Sequence, residues 1–408
     1  MPVLKNIGYL ATCEEDGSQS DIHDISKAAL AWEGSRITWV GKESDLPPNL
    51  HNMEVIDANG KMIVPGLIDC HTHLAFGGWR SDEFEMRIQG KSYLEIARAG
   101  GGIASTVKNT REASFQQLVE QSMDFLDEMA LLGVTAVECK SGYGLNTENE
   151  LKLLKVYKEL ENRHRVNIIS TFLGAHIVPD EYKNNRDAYI NLIEQEMIPT
   201  ISKQNLADFC DVFVENTAFS VDEARHIFEA GKKYGLTPKL HADQLTSGAG
   251  AELAAEVGAV SADHLECISD AGISAMAETG VCAVSLPLAT LYLNQQPMPA
   301  RKLIDAGVPV CVATDFNPGS APSYDLPLAM MLACNLQRMT PDEVLKGVTI
   351  NAAKAIKREQ YMGSLEPGKL ANFIIVDAPD VNHWMYHYRP NACEKTFIKG
   401  NEFIKDAL

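Results

Sequence analysis

Two histidines separated by one residue, His71-Thr72-His73, close an apolar run that begins Ile63-Val64-Pro65-Gly66-Leu67-Ile68-Asp69-Cys70. In an extended strand, residues two apart point to the same side. Both imidazoles can then face one point at the strand's end. Imidazole binds zinc and iron through either nitrogen, although an isolated pair also fits two ordinary polar histidines. The arrangement recurs along the chain. Leu240-His241-Ala242-Asp243-Gln244, Ala262-Asp263-His264 and Val312-Ala313-Thr314-Asp315-Phe316-Asn317-Pro318-Gly319-Ser320 each put polar residues where an apolar run stops. Imidazoles and a carboxylate brought to one place would suit a divalent cation, whose hydrolytic use is to activate water.

Such convergence needs a scaffold that gathers strand ends. Eight apolar, often β-branched runs can be counted, at 62–68, 134–139, 166–172, 209–214, 238–240, 259–262, 281–286 and 309–314. Stretches with apolar residues at helical spacing, such as 115–132 and 221–234, fill most of the gaps. Near-continuous apolar strands alternating with helices predict a parallel sheet buried on both faces. Eight of them predict a closed (β/α)8 barrel of the TIM type, with its active site on the C-terminal rim. The chain ends read differently. Short strands bounded by turn residues, at 37–41 and 53–57 and again at 371–376 and 395–400, suggest a small β domain assembled from both termini. The expected division is 1–61 with 358–408 for that β-sandwich domain, and 62–357 for the barrel.

Composition narrows the function. Of 408 residues, 45% are hydrophobic and 22% charged, and the formal net charge is −19. No basic stripe is visible, which argues against a nucleic-acid partner. An anionic small molecule would need a local cation inside the site, and Arg80 is available for that. The nine cysteines are an odd number without a C-x-x-C pair, as expected for reduced thiols in a cytoplasmic protein. Residues 1–20 lack a basic head followed by an apolar core, and no run of 18 apolar residues occurs. Neither a secretory signal nor a membrane span is expected.

The motif Pro65-Gly66-Leu67-Ile68-Asp69-x-His71-x-His73, with His241, His264 and Asp315 at the matching strand ends, resembles the amidohydrolase superfamily. The resemblance implies that His71, His73, His241 and Asp315 bind the metal, and that the barrel is inserted in a small β sandwich. Many binuclear members add a carboxylated lysine at the end of strand four. Here that strand reads Asp211-Val212-Phe213-Val214-Glu215, and Lys140 follows strand two. One ion per chain is therefore expected, either Zn2+ or Fe2+/Fe3+, since three histidines and an aspartate suit both.

More specific segments, Lys140-Ser141-Gly142-Tyr143-Gly144, Phe76-Gly77-Gly78-Trp79-Arg80, Phe172-Leu173-Gly174-Ala175-His176 and Gly100-Gly101-Gly102-Ile103, resemble the imidazolonepropionase family within that superfamily. That likeness implies hydrolytic opening of 4-imidazolone-5-propanoate to N-formimidoyl-L-glutamate in histidine degradation. It implies Asp315 as proton carrier and His264 as a donor to the carbonyl oxygen. Arg80 and Tyr143 would grip the propanoate, with His176 donating to the tail or the ring. Gln244 would meet the amidine nitrogens, and Asn317, Gly319 and Ser320 the new carboxylate. Read alone, Arg80 also fits a surface charge, His176 a core histidine, and the Asn317–Ser320 stretch an ordinary turn.

Two other readings compete. An aminohydrolase of a purine, pyrimidine or related ring could use the same scaffold, but such enzymes usually carry a glutamate three residues after the strand-five histidine. Gln244 stands there, and an amide does not ionise at working pH. A non-catalytic barrel would have no need of every ligand. The expected partner is thus a small molecule, with no nucleic acid and no membrane. A homodimer is implied by family likeness alone.

Overall fold

The computed structural model describes residues 1–91, 95 and 101–405. Among the described residues, sixteen strands fall into two sheets. β1 (Pro2–Ala11), β2 (Asp24–Glu33), β3 (Arg36–Lys42), β4 (Glu54–Asp57) and β5 (Met62–Pro65) open the chain. The parallel strands follow as β6 (Leu67–Thr72), β7 (Val134–Lys140), β8 (Asn167–Ala175), β9 (Phe209–Val214), β10 (Thr237–Ala242), β11 (Ser261–His264), β12 (Cys282–Ser285) and β13 (Val310–Val312). β14 (Phe373–Val376), β15 (Cys393–Ile398) and β16 (Asn401–Glu402) return to the first sheet.

The parallel strands pair in sequence order from β6 to β13. Closure comes just beyond β13, where the Asp315 N–H donates to the His71 carbonyl (3.1 Å) and the His73 N–H to the Phe316 carbonyl (2.9 Å). The seam of the barrel therefore passes through three of the expected site residues. Helices pack outside. Phe115–Leu131 begins with a capping box, in which Ser114 and Gln117 each satisfy the other's backbone N–H, and it turns Leu118, Val119, Leu126 and Met129 inward. Val221–Lys233 starts the same way, from Ser220 and Glu223.

The terminal sheet runs β16-β15-β14-β5-β1-β2-β3, with β4 beside β1. Trp32 on β2 and Phe373 on β14 are three strands apart in that order, about 14 Å if the sheet were flat. Their ring centroids lie 5.1 Å apart. The sheet is rolled onto itself around Leu30, Trp32, Ile63, Phe373 and Phe397, which gives the sandwich its core.

The run expected as one strand at 62–68 is two. Met62–Pro65 pairs with β1 and β14 in the terminal sheet, and Leu67–Thr72 belongs to the barrel. Gly66 is the crossing point. A Cβ there would fall 2.4 Å from Thr135 Oγ1, so only glycine lets the chain step from one sheet to the other so close to β7. β10 and β11 reach further than expected, through His241–Ala242 and Asp263–His264. Their polar side chains have partners inside the barrel, so pairing continues past the end of the apolar pattern.

Candidate active site

The barrel rim gathers the chemistry. His71, His73, His241, His264 and Asp315 come from the ends of β6, β10 and β11 and from the segment after β13, and each is at most 3% exposed. His264 and Asp315 have φ values of +81° and +56°, a region that side chains other than glycine rarely adopt. Such strain persists only where the surroundings enforce it.

The donor pattern tests whether a cation fits. Asp263 Oδ2 lies 2.7 Å from His71 Nδ1, and Asp211 Oδ1 lies 3.1 Å from His241 Nδ1. Both carboxylates hold the proton on Nδ1 and turn the Nε2 lone pair inward. His71 Nε2 is buried without a hydrogen-bond partner among the described residues. It faces Asp315 Oδ1 at 3.4 Å, while His241 Nε2 faces His73 Nε2 at 3.4 Å and His73 Nε2 faces Asp315 Oδ1 at 3.5 Å. His71 and His241 thus present acceptor nitrogens to the cluster, while His73 Nδ1 has no partner among the described residues. Ligands about 2.0–2.1 Å from a tetrahedral ion sit roughly 3.3–3.4 Å from one another. The side chains of this cluster close enough to share one ion fall into two overlapping groups, His71, His73 and Asp315, and His71, His241 and His264. Burial holds the pKa values of His71 and His73 well below the ordinary imidazole range, so both rings are neutral, the form in which imidazole can bind a cation. Burial also pushes the Asp315 carboxyl well above its usual range, a cost that a bound cation would offset.

A cavity of about 110 Å³ opens onto this cluster, lined by His73, Arg80, Tyr143, His176, His241, Gln244, His264, Asp315, Asn317 and Ser320, with Ile103 and Phe213 as its apolar wall. His71 lies behind the lining. Gly319 is placed by a different contact, since a Cβ on it would fall 2.1 Å from Arg80 Nη1. All the expected site residues are thus brought together at one end of the barrel. Gly100, part of the glycine-rich segment noted above, lies outside the described residues.

Three details reshape the expectations. Arg80 Nη2 donates to Glu83 Oε2 at 2.7 Å, and Glu83 Oε1 accepts the Gly102 N–H at 2.7 Å, so one carboxylate ties the guanidinium to the loop beside Ile103. His176 Nδ1 lies 3.1 Å from the Gly142 carbonyl, and burial pushes this imidazole down to about 3. A neutral ring that donates from Nδ1 presents Nε2 as an acceptor, which suits an N–H better than a carboxylate. Finally, Lys140 is the last residue of β7 and is fully buried among strand-four and strand-six carboxylates, not turned away to another corner. Its long side chain reaches across the barrel interior.

Sequence reasoning gave no role to Asp211, Asp263, Glu138, Glu83 or Glu150. Glu150 accepts backbone N–H groups from Gly142, Gly144 and Leu145, and so shapes the loop that carries Tyr143. A signal existed for two of them. Asp211 and Asp263 are charged residues inside otherwise apolar strands, where an unpaired carboxylate would be costly. A larger cleft of about 730 Å³ opens at the opposite end of the barrel. Most of its charges pair with each other, Arg358 with Asp208 at 3.0 Å and Lys158 with Glu161 at 2.7 Å, and no imidazole lines it.

Comparison with known proteins agrees with this geometry. Residues 62–403 match the amidohydrolase family, and the chain belongs to that family. Among curated relatives, the imidazolonepropionase of Geobacillus kaustophilus (strain HTA426) is 51% identical over 94% of this chain and 92% of its own. That of Fusobacterium nucleatum subsp. nucleatum is 45% identical over 99% and 98%. Solved structures share the fold at low identity. Guanine deaminase of E. coli has a TM-score of 0.73 at 16% identity, covering 100% of both chains. A zinc-bound adenosine deaminase of Xanthomonas campestris has a TM-score of 0.72 at 18%, covering 98% of this chain and 92% of that one.

Proposed function

We propose that the chain is a cyclic-amide hydrolase that opens 4-imidazolone-5-propanoate to N-formimidoyl-L-glutamate, a step of histidine degradation, in the cytoplasm. The observation that carries the reading is one cavity in which an imidazole–carboxylate cluster meets the partly buried guanidinium of Arg80. Arg80 Nε has no partner among the described residues, and that edge remains for a carboxylate tail. The near-full-length likeness to imidazolonepropionases supports the same substrate.

His71, His73, His241 and Asp315 would hold one zinc or iron per chain. When bound, a divalent ion polarises the substrate carbonyl and lowers the pKa of water to about 7. The remaining chemistry belongs to side chains. Asp315 accepts the proton of the attacking water and returns it to the departing ring nitrogen. His264 donates to the carbonyl oxygen as negative charge grows on it. Arg80 binds the propanoate through two parallel hydrogen bonds, and Tyr143 supports it from the neighbouring loop. His176 Nε2 accepts a ring N–H. Gln244 meets the amidine nitrogens and, because an amide does not ionise, carries no proton. Asn317, Gly319 and Ser320 receive the carboxylate made from the ring carbonyl. Residues 62–357 would supply the catalytic unit, except that Met62–Pro65 is a strand of the supporting domain of 1–61 and 358–408, and a homodimer would be the working assembly.

The test is loss of the imidazolone ultraviolet absorbance with metal-replete protein, together with appearance of N-formimidoyl-glutamate. Turnover of a purine or pyrimidine amine instead, with the imidazolone untouched, would replace this reading with deamination.

A further inference from the structure

Lys140 is a fully buried ammonium that the reaction does not use. Its Nζ lies 2.9 Å from Glu138 Oε1, 2.8 Å from Asp211 Oδ2 and 3.4 Å from Asp263 Oδ2. Lysine and all three carboxylates are 0% exposed. Two of the carboxylates are the ones that orient imidazoles. Asp211 Oδ1 accepts from the His241 backbone N–H (3.2 Å), and both Asp211 oxygens lie 3.1 Å from His241 Nδ1. Asp263 Oδ2 meets His71 Nδ1 at 2.7 Å, and its Oδ1 accepts from Ser261 Oγ at 2.6 Å. One ammonium is therefore the common anchor of struts from β9 and β11 to two rings on β10 and β6.

The terminal torsion of an aspartate is soft. A fixed cation beside a carboxylate keeps its plane: Lys140 holds Asp211 through Oδ2, and it shares Asp263 Oδ2 with the His71 ring. Without that ammonium, three buried carboxylates face each other, and among the described residues the nearest other cation, Lys239, reaches only Asp263, through Ser261 Oγ. The carboxylates must turn away from one another, and that change breaks the contact with Nδ1 that keeps each Nε2 lone pair pointing inward.

We infer that Lys140 is a positioning residue for the metal centre, acting through Asp211 and Asp263 on His241 and His71. The inference rests on the metal assignment above. It makes a prediction whose sign is opposite to simple electrostatics. Removing a positive charge close to a cation site should tighten metal binding if charge alone matters. Loss of second-layer orientation weakens it, typically about 10–100-fold.

The experiment is zinc affinity of the full-length protein, measured by competition with a chromophoric chelator. Lys140→Met is expected to weaken zinc roughly 10–100-fold. Equal or tighter binding by a folded Lys140→Met protein, with only a lower melting temperature of the zinc-free form, would overturn the inference. Asp263→Asn provides a second arm should Lys140→Met not fold, since it breaks one strut and leaves the ammonium in place. Weaker zinc is expected there too, and unchanged affinity counts against the proposal. In the double variant the losses should fall short of the product of the single ones, because both act along one path; a full product would mean that they act separately. Failure of the unaltered protein to bind zinc or iron would remove the metal assignment and this inference together, whereas tight binding by every variant would remove only the role of Lys140.

Discussion

The two sheets of this molecule have opposite interiors. The rolled terminal sheet encloses aliphatic side chains and three rings, Trp32, Phe373 and Phe397, with Phe373 and Phe397 stacked at 4.4 Å. Its one buried aromatic N–H, from Trp32, is satisfied by the Gly400 carbonyl at 2.9 Å. The upper barrel encloses Glu138, Lys140, Asp211, His241, Asp263 and Asp315 instead. Several polar atoms there have no partner among the described residues, including His71 Nε2, His264 Nδ1 and Glu266 Oε2. Native interiors normally satisfy such atoms. Among the described residues the terminal domain also has unpartnered atoms, such as His23 Nδ1 and Asn372 Nδ2, but they lie singly, whereas those of the barrel rim cluster around one cavity. The difference predicts that the terminal sheet governs stability and the barrel rim governs turnover.

The largest effect should come from the apolar side. Trp32→Ala removes a side chain that is 2% exposed and should cost about 3–5 kcal/mol of unfolding free energy, read by urea denaturation. The folded, metal-loaded fraction should keep its kcat. A tenfold fall in kcat per folded molecule would break the comparison. His264→Ala should do the reverse, lowering kcat about 10²–10³-fold, as for loss of one oxyanion donor, while the urea midpoint barely moves.

Much of this division was legible in the sequence. Period and apolar runs revealed the barrel, because each strand is buried on both faces. Strand ends revealed His71, His73, His241, His264 and Asp315, because a polar residue closing an apolar run is conspicuous. The split at Gly66 was hidden, since Met62–Pro65 and Leu67–Thr72 are equally apolar in two different sheets. Asp211, Asp263 and Lys140 were visible as letters, but their partners are far apart in the chain. Only the closed barrel brings an ammonium from β7 to carboxylates on β9 and β11.

Arg80 sharpens the comparison inside the rim, where binding and chemistry should separate. Arg80→Ala removes charge-assisted hydrogen bonds worth about 1.5–3 kcal/mol. KM for the propanoate substrate should rise roughly 10–100-fold while kcat changes less. An analogue with an uncharged tail should lose its disadvantage in the variant. Gly319→Ala should act in the same direction more weakly, because the new Cβ would meet Arg80 Nη1. A fall in kcat with KM unchanged in either variant would place Arg80 with the reacting atoms rather than the tail.

The smallest effect concerns Glu266, which has one oxygen on Thr290 Oγ1 at 3.2 Å and the other unpartnered. Burial pushes its carboxyl up to about 7 from an ordinary 4.5. Below the ordinary value both folded and unfolded chains carry the proton. Between the two values only the folded chain carries it, so stability from this group falls as pH rises, and the loss levels off once the folded carboxyl has ionised. Glu266→Gln cannot ionise. Its unfolding free energy, relative to the parent, should therefore rise by about 1 kcal/mol between roughly pH 6 and 7.5 and stay constant above. A difference that is flat across that range would mean that Glu266 is charged throughout in the folded protein. Its Oε2, 3.9 Å from His264 Nδ1, would then be the partner that the imidazole lacks, and His264 would join His71 and His241 as a ring oriented by a carboxylate behind it.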